Sequence, residues 1–207
     1  MKVGVFLPVS GRAASGVLME AARRAEALGF ASVWAADRIV TPWQIDTPYP
    51  YSADQRFIVP PDAPFLEPLT CLAYLAGGTE KIALGMSVLV MPYRHPLYWA
   101  KIATTIDHLS RGRLILGVGV GWMAEEFDAL GAPFKERGAV ADEQHEVLRR
   151  LWGRPSRASR DGTTASARSD SPPSRCRSRG SPSGWVGKGR APSVALRGME
   201  MPGFPTS

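Results

Sequence analysis

The sequence predicts an α/β protein built on a parallel sheet, and three observations favour this class. Apolar segments without polar alternation recur four times, at 3–7, 31–36, 82–90 and 113–118, which is typical of strands buried on both faces. Segments with the apolar period of a helix separate and follow them, at 16–28, 66–76, 96–109, 122–130 and 136–152. The fourth strand runs directly into Gly117, Gly119 and Gly121, and a strand followed by glycines and a helix is typical of ligand sites in such proteins.

Local signals mark the ends of these elements. Gly29 follows the first helix as a C-terminal cap, and Gly77 closes the second. Pro96 occupies the first position of the third helix, where its fixed φ is already helical, and Gly112 ends that helix. Pro133 separates the last two helices. The segment 37–65 after the second strand is long and rich in proline, and connections of this length are usually lids or binding loops.

Two architectures fit this alternation of strands and helices. One is an open doubly wound sheet, and the other is a (β/α)8 barrel, of which four units would be half. In both, ligands bind at the carboxyl ends of the strands. These ends lie at 8–11, 37–38, 91–95 and 119–122. The candidate functional residues should therefore lie at one rim of the sheet.

Charge divides the chain at residue 152. Residues 1–152 hold 15 Lys and Arg against 16 Asp and Glu, whereas residues 153–207 hold 10 against 3. The second part is rich in Ser, Arg, Gly and Pro, and such a composition cannot bury enough apolar surface to offset its ordering entropy. We therefore predict one globular domain over 1–152 and a disordered, low-complexity tail over 153–207.

Composition also disfavours several classes of function. The basic excess lies in the tail, whose arginines are spaced by Ser and Pro with few aromatic residues, so nucleic-acid binding is a weak alternative. No apolar stretch is long enough to span a membrane. Cys71 and Cys176 form neither a disulfide framework nor a metal-ligand spacing, which favours a reducing, cytoplasmic compartment and no metal site.

The glycine run allows two interpretations. Its bare backbone could admit a planar cofactor or a phosphate, or it could serve a tight strand-to-helix turn. The dinucleotide fingerprint G-x-G-x-x-G fails when it is counted from Gly117, because Trp122 occupies the third position. Counted from Gly119, the third position is Ala124, which the fingerprint tolerates.

Five segments together resemble the luciferase-like monooxygenase superfamily of flavin and deazaflavin oxidoreductases, over about residues 1–152. They are GVFLP at 4–8, AEALGFASVW at 25–34 with Ala36-Asp37, LGMSVLVMPYRHP at 84–96, DHLSRGRLILGVGVGW at 107–122, and EEF at 125–127 with Arg137-Gly138 and LRRLW at 148–152. The resemblance is strongest to the branch that uses coenzyme F420, an 8-hydroxy-5-deazaflavin. It implies a (β/α)8 barrel of which the first four units are present.

The resemblance also implies a function and its residues. The expected activity is hydride transfer between the deazaflavin and a small organic substrate, with an FMN-dependent monooxygenase as the alternative. The cofactor ring of the family lies at the carboxyl mouth, against a third-strand bulge with a non-proline cis peptide, which matches Ser87 and Val88. Gly119, Gly121 and Glu125 are the other candidate cofactor contacts.

Asp37 and Arg38 are the candidate catalytic residues. The family places an acidic residue followed by histidine at the end of the second strand, whereas this chain has Arg38 after Asp37. A guanidinium cannot shuttle protons near pH 7, so Arg38 would hold an anionic substrate or a reduced, anionic cofactor ring. The alternative is an ion pair of Arg38 with Asp37 or with a loop carboxylate. His95 is expected to cap a helix, and His108 and His145 to lie on helix surfaces.

The tail does not continue the barrel pattern. A complete barrel needs about 250 residues. An Arg, Ser, Pro and Gly mixture is what an out-of-frame reading of GC-rich DNA gives, so we hypothesise a frameshift and truncation; a natural disordered extension is the alternative. Half a barrel has unpaired edges and would persist as a homodimer, as an open sheet or as an unstable product. We expect weak cofactor binding by this chain, and an inactive fragment acting through its basic tail is the third hypothesis.

Overall fold

The computed structural model describes residues 1–11 and 15–153, and these form a four-stranded sheet covered by helices. The strands are β1 (Gly4–Phe6), β2 (Ser32–Ala35), β3 (Ala83–Val90) and β4 (Leu114–Gly119). The helices are α1 (Ser15–Ala27), α2 (Pro68–Gly78), α3 (Pro96–Leu109), α4 (Ala124–Ala129) and α5 (Arg137–Gly153). A 3-10 turn, Met91–Tyr93, joins β3 to α3. The predicted elements are all present, with ends shifted by one or two residues in most cases.

Strand order decides between the two predicted architectures. The strands are parallel and adjacent in the order β1-β2-β3-β4, so each neighbour in sequence is a neighbour in space. A doubly wound sheet reverses its order at a switch point, and the described sheet has none. The fold is therefore of the (β/α)8 barrel type, with four βα units. The predicted disorder of the tail concerns residues that lie outside those described, apart from Gly153.

Alternate residues of the strands define two faces of the sheet. Val33 and Leu84 are register partners and pack against Leu69, Leu72 and Leu75 of α2, all with at most 1% of their surface exposed. The helices therefore cover this face. The next register row, which lies on the opposite face, consists of Phe6, Trp34, Gly85 and Ile115.

The ends of α1 and α3 form as the sequence predicts, but α2 continues through Gly78 to its C-cap Thr79, so Gly77 lies inside the helix and does not close it. Gly29 follows α1 with φ of +79°, the left-handed conformation that glycine adopts without a Cβ clash. Pro96 begins α3, and His95 is its exposed N-cap residue, without a side-chain capping bond. Cys71 is a packed thiol, 6% exposed, and burial raises its pKa to about 11.

Arg113 holds together the amino end of the sheet. Its guanidinium donates to the carbonyl oxygens of Ala76, Thr79 and Ile82, at 3.1, 2.9 and 2.8 Å. It also donates to the Thr79 hydroxyl at 2.8 Å and to the Ser110 carbonyl at 2.7 Å. One side chain thus joins the end of α2 to the starts of β3 and β4.

A bulge interrupts the pairing of β3 with β4. Met86 pairs with Leu116, but the next regular pair is Leu89 with Val118, and the register shifts between them. The Ser87-Val88 peptide within this shift is cis. Both features match the expectation drawn from the family resemblance.

We predict that Gly117→Ala destabilises the fold, because a Cβ there would lie 2.5 Å from the Met86 carbonyl oxygen at the bulge. Backbone cannot move aside as a flexible side chain can, so the expected loss in free energy of unfolding is about 1–3 kcal/mol. Gly77→Ala is the matched control, since its Cβ would meet no atom within 4 Å and alanine favours the helix. Urea denaturation of the two variants compares them, and equal stabilities would contradict the packing at the bulge.

Candidate functional site

Asp37 joins the carboxyl ends of β2 and β3 through a buried ion pair. Its Oδ2 and Oδ1 accept from Nη1 and Nη2 of Arg94 at 2.6 and 2.8 Å. The Val90 amide donates to the same carboxylate at 2.9 Å, and the Asp37 side chain is completely buried. The carboxylate is therefore satisfied by a neighbouring strand end, and its position is fixed.

Arg94 extends this connection to two helices. Its Nη2 also donates to Glu67 at 3.1 Å, and Glu67 caps α2 by accepting from the Thr70 amide at 2.7 Å. Gln144 of α5 donates to the Arg94 carbonyl at 3.2 Å. Burial alone would lower the pKa of the Arg94 guanidinium, but its bonds to Asp37 and Glu67 raise it. The cation therefore stays charged while it holds four elements at one rim.

Arg38 forms a second buried ion pair with Glu126 of α4. Glu126 is fully buried, and its carboxylate also accepts from the Ile39 and Val40 amides at 2.8 and 3.2 Å. The Tyr93 hydroxyl donates to it at 2.7 Å. Burial and then the charge of Glu126 raise the pKa of Tyr93, so this phenol remains a proton donor. The alternative interpretation of Arg38, as a member of an ion pair, is therefore correct in kind, but the partner is Glu126 of α4 and neither Asp37 nor a loop carboxylate.

Aromatic residues surround the Arg38 guanidinium. The guanidinium carbon lies 4.8 Å from the Phe57 ring centroid and 5.4 Å from that of Trp122, which is the geometry of a cation–π contact. Tyr49 packs against both rings, at centroid distances of 5.4 and 5.0 Å. Arg38 is 6% exposed, and its Nε has no hydrogen-bond partner among the described residues. One buried donor at this site is therefore left unpaired.

Glu125 anchors the long 37–65 loop to α4. Its Oε1 accepts from the amides of Asp46 and Thr47 at 2.9 and 2.8 Å, while the Thr47 hydroxyl accepts from the Ala124 amide at 3.3 Å. Burial raises the pKa of the Glu125 carboxyl, but the backbone and Thr47 hydrogen bonds outweigh it and the pKa is lowered. The loop is thus held in place over the rim by adjacent carboxylates.

The glycine run packs closely against the β3 bulge. A Cβ on Gly119 would lie 2.7 Å from a Val88 methyl, so strands β3 and β4 approach each other closely at these two residues. Gly121 has φ of +80°, and a Cβ there would meet Phe127 and Val90 within 2.8 Å. The tight-turn interpretation of the run therefore has a structural basis at both positions. Ser87, Val88, Gly119 and Gly121 are all half-buried, and their predicted role as cofactor contacts stays a prediction.

The structure brings most predicted site residues to one rim. Asp37, Arg38 and Glu125 belong to the network at the strand ends, and their catalytic or cofactor-binding roles stay predictions. No site role was predicted for Glu126, although it lies in the EEF segment at 125–127 and is an acid in the first turn of α4. The three histidines take no part in the rim network described above. The described residues contain no cluster of three His, Cys, Asp or Glu that could hold a metal ion.

Comparison with known proteins places this geometry in a family. The family model of luciferase-like monooxygenases matches residues 1–204, and the chain belongs to this family. A Mycobacterium tuberculosis protein described as uncharacterized is 35% identical over 130 residues, which are 63% of this chain and 45% of that protein. An F420-dependent glucose-6-phosphate dehydrogenase of Amycolatopsis mediterranei is 34% identical over 139 residues, 65% of this chain and 37% of the enzyme.

Solved structures agree with the fold. The monooxygenase RslO1 of Streptomyces bottropensis is 27% identical with a TM-score of 0.56, covering 74% of this chain and 44% of that one. The oxygenating constituent of a Pseudomonas putida diketocamphane monooxygenase, solved with FMN, has the same TM-score at 18% identity, covering 75% and 40%; it supports the fold alone. An F420-dependent dehydrogenase and a monooxygenase are thus both among the proteins that this chain resembles. This chain spans less than half the length of these relatives. Among the described residues, no helix is long and apolar enough to cross a membrane.

We predict that Arg38 and Glu126 are strongly coupled in stability. Either Arg38→Met or Glu126→Gln leaves a buried charge without its partner, and we expect each to lower the free energy of unfolding by about 3–5 kcal/mol. The double variant should lower it by less than the sum of the two single losses, with a coupling energy of at least about 2 kcal/mol. Urea denaturation of the cycle measures this coupling. The matched control is the exposed Arg149–Glu146 pair on α5, where the same cycle should give less than about 1 kcal/mol. Equal coupling in the two cycles would contradict the buried pair.

We predict that acidification releases the middle of the 37–65 loop, at Asp46 and Thr47, from α4 before the core unfolds. Because the folded-state pKa of Glu125 lies below 4.5, its stabilising contribution is complete above pH 4.5 and is lost as the pH falls through the lowered value. Hydrogen exchange should show the amide protection of Asp46 and Thr47 falling below pH 4.5, and Glu125→Gln should lower it at pH 7. Asp128→Asn, an exposed change in the same helix, is the control. Unchanged protection in Glu125→Gln would contradict this anchor.

Proposed function

We propose that the carboxyl rim of this chain binds a deazaflavin coenzyme of the F420 class for hydride exchange with a small organic substrate. The chain belongs to an oxidoreductase family that includes F420-dependent members. The observation that carries the proposal is the bulge at Ser87-Val88, in the strand where the family resemblance locates the cofactor ring. The bulge lies directly beside Gly119 of β4, where the Val88 side chain packs against the glycine.

The chemistry of the rim fits such a group. The buried Nε of Arg38 lacks an acceptor, and leaving a buried donor unpaired costs about 1–3 kcal/mol. A carbonyl or anionic oxygen of a bound ring would satisfy it. Gly121 lies at the same strand end, where its carbonyl accepts from Nε of Arg137 at 3.3 Å. No ion pair engages Arg137 within the described residues, so its positive charge is available to an anionic cofactor tail.

Each rim residue then has a distinct task. The deazaflavin, when bound, supplies the hydride acceptor or donor. Arg38 would touch the ring or the substrate, where it holds negative charge but moves no proton, because a guanidinium stays protonated. Asp37 acts as a positioning residue, since Arg94 and the Val90 amide occupy its carboxylate. Glu125 positions the loop over the site, and Ser87, Val88, Gly119 and Gly121 would line it.

Two alternative functions differ from this proposal in the cofactor that the rim would bind. An FMN-dependent monooxygenase would use the same rim for a ring that reacts with dioxygen, and the family's monooxygenases are the ground for this alternative. A chain that binds neither cofactor would be a fragment acting through residues 153–207. A small-molecule substrate is common to both enzymatic proposals, and a cytoplasmic location stays part of the proposal.

The proposal predicts that the 207-residue chain binds coenzyme F420 more tightly than FMN. Absorbance and fluorescence titrations with each cofactor measure the two dissociation constants. The Arg38→Met/Glu126→Gln double variant removes the buried pair together and should weaken F420 binding at least tenfold while its circular dichroism is unchanged. Arg149→Met, an exposed change on α5, is the matched control and should bind normally. Tighter binding of FMN, or of neither cofactor, would overturn the proposal, as would an unaltered double variant.

A further inference from the structure

The middle of the long loop, residues 48–63, forms a flap that is hydrogen-bonded to itself. The Tyr49 amide donates to the Gln55 carbonyl at 2.8 Å, and the Ser52 hydroxyl donates to the Arg56 carbonyl at 3.2 Å. No hydrogen bond or ion pair joins this flap to the other residues that the structure describes. The flap can therefore move as a unit without breaking a polar contact to the described rim.

The chain is fixed immediately before and after the flap. Before it, the Thr47 amide donates to the Glu125 carboxylate at 2.8 Å. After it, the Gly11 amide donates to the Pro64 carbonyl at 2.9 Å. A segment that is anchored at both ends, and whose own hydrogen bonds are internal, is placed to open and close over the rim.

Aromatic rings hold the flap over the buried Arg38 guanidinium. The Phe57 and Trp122 centroids lie 4.8 and 5.4 Å from the guanidinium carbon and only 5.6 Å from each other, so both rings lie on one side of it. Tyr49 of the flap packs against both rings. Arg38 is 6% exposed, and its Nε has no hydrogen-bond partner among the described residues. Movement of Phe57 with the flap would uncover a buried donor that lacks an acceptor.

The charges around this donor favour an uncharged acceptor. The charge of Arg38 is balanced by the buried Glu126, and that of Arg94 by Asp37. Residues 37–65 as a whole hold two arginines against four aspartates. A phosphate or carboxylate would add an uncompensated charge to this site, and burial of a charge is far more costly than burial of a carbonyl group. A carbonyl oxygen satisfies Nε without that cost.

We propose that the flap opens to admit a flat ring bearing an uncharged carbonyl group, and closes with Phe57 against the ring and the carbonyl oxygen on Nε of Arg38. Tyr49 and Trp122 supply further aromatic surface on which such a ring packs. Two sources have this chemistry, the ring of the proposed coenzyme and an aromatic ketone. That either of them takes part in hydride exchange rests on the proposed function, whereas binding beneath the flap does not.

Nuclear magnetic resonance of the Arg38 Nε–H group in the full 207-residue chain tests the site directly. Acetophenone supplies a ketone on a ring, ethylbenzene the same skeleton without the oxygen, and phenyl phosphate an anion on the ring. We expect acetophenone, coenzyme F420 or both to shift the Nε–H resonance, while ethylbenzene and phenyl phosphate leave it in place. Because the ketone satisfies a buried donor, it should bind at least about tenfold more tightly than ethylbenzene.

The separate titrations identify the source of the carbonyl group. A shift with F420 assigns the site to the coenzyme ring, and a shift with acetophenone assigns it to a ketone. If F420 does not bind at all, the proposed function fails, but a shift with acetophenone still supports the site beneath the flap. If F420 binds without a shift and acetophenone gives none, this site alone is overturned.

A pair of flap variants tests the role of Phe57. Phe57→Ala should speed the exchange of the Arg38 Nε–H proton with water at least about tenfold, because the ring that covers it is removed. Ile58→Ala is the matched control, since this neighbour in the same flap is 83% exposed. Circular dichroism checks that both variants fold. Equal exchange in the two variants would overturn the proposal, as would a shift with phenyl phosphate as large as that with the carbonyl compounds.

Discussion

Two buried ion pairs fix the carboxyl ends of the strands, and the geometry of the rim depends on them. Asp37 and Arg38 are consecutive, yet one pairs with Arg94 beyond β3 and the other with Glu126 of α4. The end of β2 is therefore tied in two directions at once. Because these groups are buried, removal of any one member leaves a charge without compensation, which is far more costly than loss of an exposed pair. The charges position the rim more than they add net stability.

The long loop takes its position from the same few groups. Its first residues donate to Glu126, its middle donates to Glu125, and its end pairs with the segment after β1 through Ser10 and Phe65. Tyr49 and Phe57 from this loop then close over Arg38 and Trp122. The aromatic environment of the guanidinium thus comes mainly from the same loop near whose start Arg38 lies, and this loop is fixed at three points.

The sequence predicts those features of the fold that depend on residues adjacent in the chain. Apolar periods and caps such as Gly29 and Pro96 depend on adjacent residues, so the elements and their order were predictable. The choice between a barrel and a doubly wound sheet depends on strand order in space, which no local signal carries. The partners of Asp37 and Arg38 were unpredictable for the same reason. Glu125 and Glu126 show the limit most clearly: neighbours on a helix point about 100° apart, so one holds a loop and the other enters the core. The cis peptide at Ser87-Val88 was accessible only through the family resemblance, since such bonds are rare.

Separate groups of contacts stabilise the two ends of the sheet, and Arg113 provides those at the amino end. It fastens α2, β3 and β4 at the end of the sheet opposite the rim, through five hydrogen bonds that involve neither Asp37 nor the long loop. Substitutions in the long loop therefore leave these hydrogen bonds at the amino end of the sheet intact. Loss of the Arg113 guanidinium, by contrast, would loosen α2, β3 and β4 together, while the rim kept its own ion pairs.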